Sequence, residues 1–352
     1  MTMTKHYLCA ASVAVLFAAC APAPKEEAKK EPEKYNTPQV QGYQEMAIPA
    51  DNPMTAAKVE LGKQLYYDKR ISGDSSRSCY SCHLKEKGLT DGLPTAIGAY
   101  EAKLTRSSPT MWNVGYYPAL YWDGRSPALE KQVVGAWSGG NMGCTGKDGK
   151  PTADDCAGRL NQIEGYKKSF EAVFGPGPVT KENAAKAIAA FMRTIVTTSE
   201  RSPWVRFRNG DQSALSEEAR RGWTVFSEKA KCTNCHDGIL LTDMQFHNVG
   251  IGMDAKEPDK GRFVVTKEEK DTGAFKTPSL FGIADSAPYF HNGSVKTLEE
   301  AVDIMAGGGK KNKYLDTTNL KPYKLSKAEK ADLLAFLRSL SANYDIADPV
   351  LP

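Results

Sequence analysis

The sequence predicts a mainly α-helical protein that consists of two copies of one structural unit, with little β structure. The segment from Tyr121 to Trp137 returns without a gap as Phe290 to Ala306, 169 residues later. In each half, a helical stretch with a Gly-x-x-x-aromatic step precedes one Cys-x-x-Cys-His motif. Self-similarity of this kind indicates an internal duplication. The residues of the step are Gly62 and Tyr66 in the first half and Gly222 and Phe226 in the second.

Helical periodicity supports the helical assignment. Apolar residues recur at helical spacing over residues 54–70. Residues 179–198 predict a long helix that closes the first half or links the two, and residues 325–340 predict the final helix. Ser326 and Glu329 are spaced as a capping box at the start of that final helix.

The N-terminus has the pattern of an export signal. Lys5 precedes an apolar run, and Cys20 follows small residues, which is typical of a lipoprotein-type signal peptide over residues 1–20. A plain secretory signal with an incidental cysteine is the alternative. Residues 21–49 are rich in Pro, Lys and Glu and predict a disordered tether. We therefore expect a periplasmic or cell-envelope protein that a lipid on Cys20 attaches to a membrane.

Length and charge set further limits. The 352 residues suffice for two domains, which we predict over residues 50–205 and 206–345. The formal net charge is only +4, and no block of Lys and Arg occurs. The sequence therefore does not predict nucleic-acid binding.

Two cysteine pairs carry the main chemical signal. The motifs are CYSCH, with Cys79, Cys82 and His83, and CTNCH, with Cys232, Cys235 and His236. Four cysteines could bind zinc, but a histidine directly after each pair is typical of covalent c-type haem attachment. Two such motifs in an exported protein predict two haem c groups, and hence two cytochrome-c-like domains, with His83 and His236 as iron ligands.

Cys144 and Cys156 stand apart from these motifs. They flank a polar loop, and in an exported protein we expect them to form a local disulfide. Two free thiols are the alternative.

The duplicated segment suggests that the two irons differ. Met305 lies on a predicted amphipathic helix over residues 297–306 and could be the second axial ligand of the iron opposite His236. A methionine on a helix can equally be core filling. The first half has Ala136 at the same place, and alanine cannot bind iron. One haem iron is thus predicted to have a second side-chain ligand and to serve electron transfer. The other is predicted to lack that ligand and to leave a position free for the reaction.

Several longer motifs resemble one family over residues 50–340. Among them are LGKQLYYDKRIS, TDGLPTAIG, SPTMWN, YWDGR, FHNVGIG and FKTPSLFGIADSAPYFHNGS. In these motifs the sequence is similar to the bacterial di-haem cytochrome c peroxidases and their MauG-type relatives. The resemblance implies a high-potential His/Met haem in the C-terminal half and peroxide reduction at the N-terminal haem.

The resemblance also implies roles for individual residues. Trp122 matches a tryptophan between the two haems, and Met305 matches the distal methionine. Gln132, Asn141 and Arg106 complete the candidate catalytic set, together with Trp122. One calcium ion is expected at the domain interface, bound largely by backbone oxygens. Its matching positions are Ser107, Ser286 and Pro288.

Two positions depart from the family pattern. Ala99 stands where many of these peroxidases have a histidine that caps the N-terminal iron, and Asn141 stands where they have a glutamate. An amide cannot accept a proton from peroxide as a carboxylate can. Glu101, Tyr100 or an acid from the 144–156 loop could take over. His247 and His291 are expected to donate or accept orienting hydrogen bonds rather than bind iron.

These observations favour an enzyme that reduces hydrogen peroxide to water. Its electron donor would be a small cytochrome c or a cupredoxin, and a homodimer is a further partner to consider. MauG-type oxidation of a protein partner is one alternative. An electron-transfer cytochrome with weak or lost peroxidase activity, in view of Ala99 and Asn141, is the other.

Overall fold

Short helices joined by long irregular segments make up the computed structural model, which describes residues 1–3 and 35–352. The α-helices of this part of the chain are α1 Ala56–Tyr67, α2 Leu129–Trp137, α3 Ala153–Leu160, α4 Glu164–Phe174, α5 Lys181–Met192, α6 Pro203–Arg208, α7 Glu217–Thr224, α8 Phe263–Thr266, α9 Leu298–Ala306 and α10 Lys327–Arg338.

A single small sheet accompanies the helices within the described residues. Strands β1 (Phe246–His247) and β2 (Phe275–Lys276) pair in antiparallel orientation, with Phe246 opposite Lys276. The prediction of a mainly α-helical fold with little β structure is therefore confirmed.

The predicted helices form, but they are shorter than the periodicity suggests. Helix α10 begins with the predicted capping box of Ser326 and Glu329. Helix α5 ends at Met192 rather than residue 198. Beyond Met192 the chain is hydrogen-bonded to Asn113 instead. The backbone N–H of Asn113 donates to the Ile195 carbonyl, and the side-chain oxygen of Asn113 accepts from the backbone N–H of Thr197, both at 2.9 Å.

Gly62 and Gly222, the glycines of the step that recurs in both halves, allow close helix crossings. Helix α1 packs on α5, and α7 packs on α10. A Cβ on Gly62 would overlap the carbonyl oxygen of Ala187 in α5, and a Cβ on Gly222 would overlap that of Asp332 in α10. Because only glycine lacks a Cβ, both halves need glycine at this step.

Cys144 and Cys156 form the predicted disulfide, with α3 carrying Cys156. Both cysteines are fully buried. The alternative of two free thiols is therefore wrong.

The segment before α1 is more ordered than the sequence suggests. Val40 and Met46 are buried, and the Val40 N–H donates to the Tyr116 hydroxyl at 2.9 Å. The tether predicted over residues 21–49 therefore does not include residues 40–46, because these two apolar side chains pack on the folded body. Residues 21–34 lie outside the described part of the chain.

The C-terminal segment after α10 returns to the first half. The Asn343 N–H donates to the Arg201 carbonyl at 2.8 Å, and Arg201 forms an ion pair with Asp345 at 2.7 Å. The Tyr344 hydroxyl lies 3.2 Å from that of Tyr67. Residues 35–352 form one compact unit, so the division near residue 205 stays a prediction.

Most of the predicted signal peptide, including Cys20, lies outside the described residues. In the part that the structure does describe, no helix combines the length and the apolar character that crossing a membrane requires.

Candidate active site

Each Cys-x-x-Cys-His motif forms a short 3-10 turn that presents its histidine in a fixed orientation. Nδ1 of His83 lies 3.0 Å from the Leu89 carbonyl oxygen, and Nδ1 of His236 lies 3.1 Å from that of Leu241. Since a carbonyl only accepts, both Nδ1 atoms carry the proton and donate. Nε2 of each ring is thereby left with a lone pair for a metal.

Burial suits both imidazoles to metal binding. It lowers the pKa of His83 and of His236, which favours the neutral form that binds metals. Near Cys79 and Cys82, the fully buried Tyr66 hydroxyl has no hydrogen-bond partner among the described residues. An orphaned buried polar atom is expected where a further group belongs. The residues therefore fit covalently attached haem.

The second half surrounds a largely apolar cavity. Cys232, Cys235 and His236 line it on one side, and Met305 from α9 also lines it. The predicted helix around Met305 is confirmed, with a capping box of Thr297 and Glu300 at its start. Met305 and His236 thus share one cavity, while ligation itself stays a prediction.

Another cavity, of about 520 Å³, lies in the first half. It is called the first cavity below, and the cavity around His236 and Met305 is called the second cavity. The candidate catalytic residues all contribute to the first cavity, together with part of the first haem motif. They are Arg106, Trp122, Gln132 and Asn141, with Cys82 and His83. The structure thus brings together side chains that are separated by up to 59 positions in the sequence (82 to 141).

Helices α2 and α9 present their cavity residues differently. Residues four apart share a helix face, and Ala301 and Met305 of α9 both line the second cavity. The equivalent positions of α2 are Gln132 and Ala136. The long side chain therefore lies one turn earlier in the first half, and an amide replaces the thioether. The duplicated helix therefore presents a thioether to one cavity and an amide to the other.

Trp122 lies between the two cavities and lines both of them. Its indole N–H donates to the Ser107 carbonyl at 2.9 Å, and its own carbonyl accepts from the Lys276 N–H at 2.8 Å. The indole is thus held by the first half, and the Trp122 backbone is held by the second.

Comparisons with known proteins agree with this geometry. A family model described as di-haem cytochrome c peroxidase matches residues 56–213, and one described as RoxA-like, cytochrome c-like matches residues 274–305. The cytochrome-c peroxidase IdrP1 of Denitromonas iodatirespirans is 39% identical over 336 residues, which cover 87% of each chain. The chain belongs to the di-haem cytochrome c peroxidase family.

Two further relatives extend the comparison. The methylamine utilization protein MauG of Methylorubrum extorquens is 36% identical over 307 residues, covering 86% of this chain and 84% of that one. The solved structure of a MauG-like protein associated with microbial copper homeostasis superposes with a TM-score of 0.76 at 32% identity, covering 87% of this chain and 95% of that one. Family membership confirms an oxidoreductase of the cytochrome-c peroxidase type and implies haem c groups.

Arg106 is engaged in ion pairs. Its guanidinium donates to Asp259 at 2.6 and 2.8 Å and to Asp123 at 2.7 Å. Asp123 also binds Arg125 at 3.0 Å. Among the described residues, Asp123 is the only carboxylate that lines the first cavity. Arg106 therefore joins the two halves, and its charge is already balanced by carboxylates.

Glu101 and Tyr100, the residues considered as substitutes for the family's glutamate at position 141, lie outside the first cavity. Glu101 is exposed and pairs with Arg77 at 3.1 Å, and Tyr100 lies against Lys150, whose Nζ is 4.8 Å from the centre of its ring. Neither residue lines the first cavity. Ala99 is buried, and its N–H donates to the Asn141 carbonyl at 3.0 Å. Asp123, and not Glu101, is therefore the acid among the described residues that lines this cavity, because the chain turns Glu101 outward.

The three predicted calcium positions all line the second cavity. The Ser107 hydroxyl donates to the Phe290 carbonyl at 2.9 Å, and the Ser286 hydroxyl donates to the Ile283 carbonyl at 3.3 Å. Pro288 follows a cis peptide bond. Calcium binding at these positions stays a prediction.

The two remaining histidines differ. Nδ1 of His247 lies 2.6 Å from Asp316 and Nε2 lies 2.8 Å from Asp243, so both nitrogens are hydrogen-bonded. These contacts, led by that with Asp243, raise the pKa of His247. His291 instead stacks on Phe275, with ring centres 3.7 Å apart. Only His247 makes the side-chain hydrogen bonds expected of an orienting group within the described residues.

Lys276 is a residue that the sequence analysis did not single out. It is buried and lines both cavities. The available signal was a lone charge within the otherwise uncharged stretch AFKTPSLFGIA. Lysine is almost never fully buried unless it is paired.

Proposed function

We propose that this protein reduces hydrogen peroxide to two water molecules in the first cavity, consuming two electrons and two protons per peroxide. The observation that carries the proposal is the division of side chains between the cavities. Gln132 and Asn141 share the first cavity with His83, whereas Met305 shares the second with His236. One cavity offers amides to a small polar substrate, and the other offers a second iron ligand.

Haem iron supplies the electron-transfer chemistry in both cavities when haem is bound. In the first cavity, the amides of Gln132 and Asn141 can donate hydrogen bonds to peroxide and accept them from it, which orients the substrate. Neither amide has a basic group that takes up a proton at neutral pH. We therefore expect turnover that is measurable but slow.

In the second cavity, His236 and Met305 would be the residues that hold the iron. A thioether ligand favours the reduced state of iron and raises its reduction potential. This half would accordingly receive electrons and pass them to the first half. Trp122 supports that route, because it lines both cavities and its backbone is tied to the second half.

The electron donor in this proposal is a small cytochrome c or a cupredoxin. The signal-like N-terminus, with Cys20 as the site of a lipid, supports a periplasmic or cell-envelope location. One calcium ion near Ser107, Ser286 and Pro288, and assembly into a homodimer, belong to the same proposal.

A stopped-flow titration tests the proposal. The haem-loaded protein is mixed with hydrogen peroxide and reduced cytochrome c, and donor oxidation is followed. Two donors oxidised per peroxide would support peroxidase activity. No donor oxidation by a correctly loaded protein would leave an electron-transfer cytochrome and contradict the proposal.

MauG-type oxidation of a protein partner is the second candidate, and the 36% identity to MauG favours it. MauG-type relatives resemble this chain but tend to have tyrosine as the second ligand of the C-terminal haem. Met305 therefore favours the peroxidase. If the protein consumes peroxide while it oxidises a partner protein but no small donor, MauG-type oxidation would be favoured over the peroxidase.

A further inference from the structure

Lys276 places a positive charge between the two cavities. It ends strand β2, its side chain is buried, and it lines both cavities. Its N–H donates to the carbonyl of Trp122 at 2.8 Å. The ammonium group is therefore carried by a backbone segment that is hydrogen-bonded to the backbone of Trp122, the residue between the cavities.

Within the described residues, this ammonium group has no counter-charge. Among the described residues its Nζ takes part in no ion pair or hydrogen bond, and Asp243 acts on it only through space. Its one close polar contact is the face of Tyr117, whose ring centre is 4.3 Å away. Burial lowers the pKa of Lys276 to about 8, and the more distant Asp243 only partly opposes this. An ammonium group without a counter-charge, on a buried side chain that faces two cavities, is unfavourable unless a further group binds it.

The cavities themselves indicate which anion could pair with it. The residues of both cavities fit haem c, and each haem carries two propionate carboxylates. Hydrogen peroxide is neutral and cannot supply the missing charge. Carboxylates and ammonium groups form strong charge-assisted hydrogen bonds.

We propose that Lys276 binds a haem propionate and acts as a fixed positive charge between the two haem groups. The inference rests on the di-haem part of the proposed function, and it does not depend on peroxide reduction. A positive charge stabilises the reduced state of a nearby iron, because reduction removes one positive charge from it. Lys276 is thus a positioning residue that raises the reduction potential of at least one haem.

The test compares three variants of the full, haem-loaded chain by spectroelectrochemistry without peroxide. Lys276→Met removes the charge at similar length, and Lys276→Arg retains it. Lys313→Met removes an exposed lysine of the same half as a control for net charge. We expect Lys276→Met to lower the reduced-to-oxidised ratio of at least one haem about tenfold at fixed potential, equivalent to about 59 mV for a one-electron couple.

Lys276→Arg and Lys313→Met should leave both potentials near those of the unmodified protein. Unchanged potentials in Lys276→Met, or an equally large shift in Lys313→Met, would overturn the inference. If Lys276→Met does not load haem, Lys276→Gln replaces it under the same criteria. Because the potentials are measured without substrate, a protein that lacks peroxidase activity can still confirm or refute the role of Lys276.

Discussion

Replacing Asn141 by glutamate should accelerate the reaction with hydrogen peroxide. Heterolytic cleavage of the O–O bond requires a proton to move from the inner to the outer oxygen, so that water departs. Asn141 lines the first cavity but has no basic group. A glutamate at this position would add a carboxylate where peroxide is proposed to bind.

The structure sets the expected size of the effect. The Asn141 carbonyl is held by the Ala99 N–H at 3.0 Å, so the new side chain starts from a fixed backbone. Arg106 already binds Asp123 and Asp259, so it would neutralise a new carboxylate only weakly. The half-buried position should then raise the pKa of the glutamate above its usual value, which suits a general base. Positioned proton transfer is worth about 10²–10⁴ in rate, and we expect at least about tenfold from an unoptimised side chain.

The assay is stopped-flow measurement of the second-order rate constant for peroxide across a range of pH. Asn141→Gln is the matched control, because glutamine has the length of glutamate without its charge. The glutamate variant should show a rate that increases as the carboxyl group loses its proton, and the glutamine variant should show no such dependence.

Two outcomes would refute this reasoning. One is an equal acceleration in Asn141→Gln, which would mean that side-chain length rather than proton transfer limits the rate. The other is a rate for the unmodified protein near the diffusional ceiling of about 10⁸–10⁹ M⁻¹s⁻¹. Another acid–base group would then already serve the cavity, and Asp123→Asn would be the first variant to make.

Two further predictions concern the second half of the chain. Met305→Ala should abolish a thioether-to-iron absorption band and lower the potential of one haem; an unchanged spectrum of the oxidised protein would mean that Met305 only fills the core. Gly222→Ala should lower the free energy of unfolding by about 1–3 kcal/mol, because its Cβ would overlap the Asp332 carbonyl oxygen of α10. Gly158→Ala in α3 is the control, since a Cβ there meets no atom within 4 Å and should stabilise the helix by about 0.5–1 kcal/mol. Equal denaturation midpoints for the two alanine variants would contradict the close-crossing explanation.

The sequence by itself determined the features that depend on local spacing. The Cys-x-x-Cys-His motifs indicated haem attachment, because two thiols and an imidazole on one turn need no distant contact. The capping box of Ser326 and Glu329 indicated the start of the final helix for the same reason. The 169-residue repeat indicated the duplication and pointed to Met305 and Ala136 as the informative difference.

Only the tertiary structure decided which residues meet across the chain. Glu101 follows the family position Ala99 by only two residues, yet a left-handed backbone turns it to the surface, where it pairs with Arg77. Val40 and Met46 are isolated apolar residues in a polar segment, and their burial depends on a surface that the rest of the fold creates. Lys276 gains its importance in the same way. Its position between two cavities results from the packing of the two halves, and no local pattern in the sequence encodes that packing.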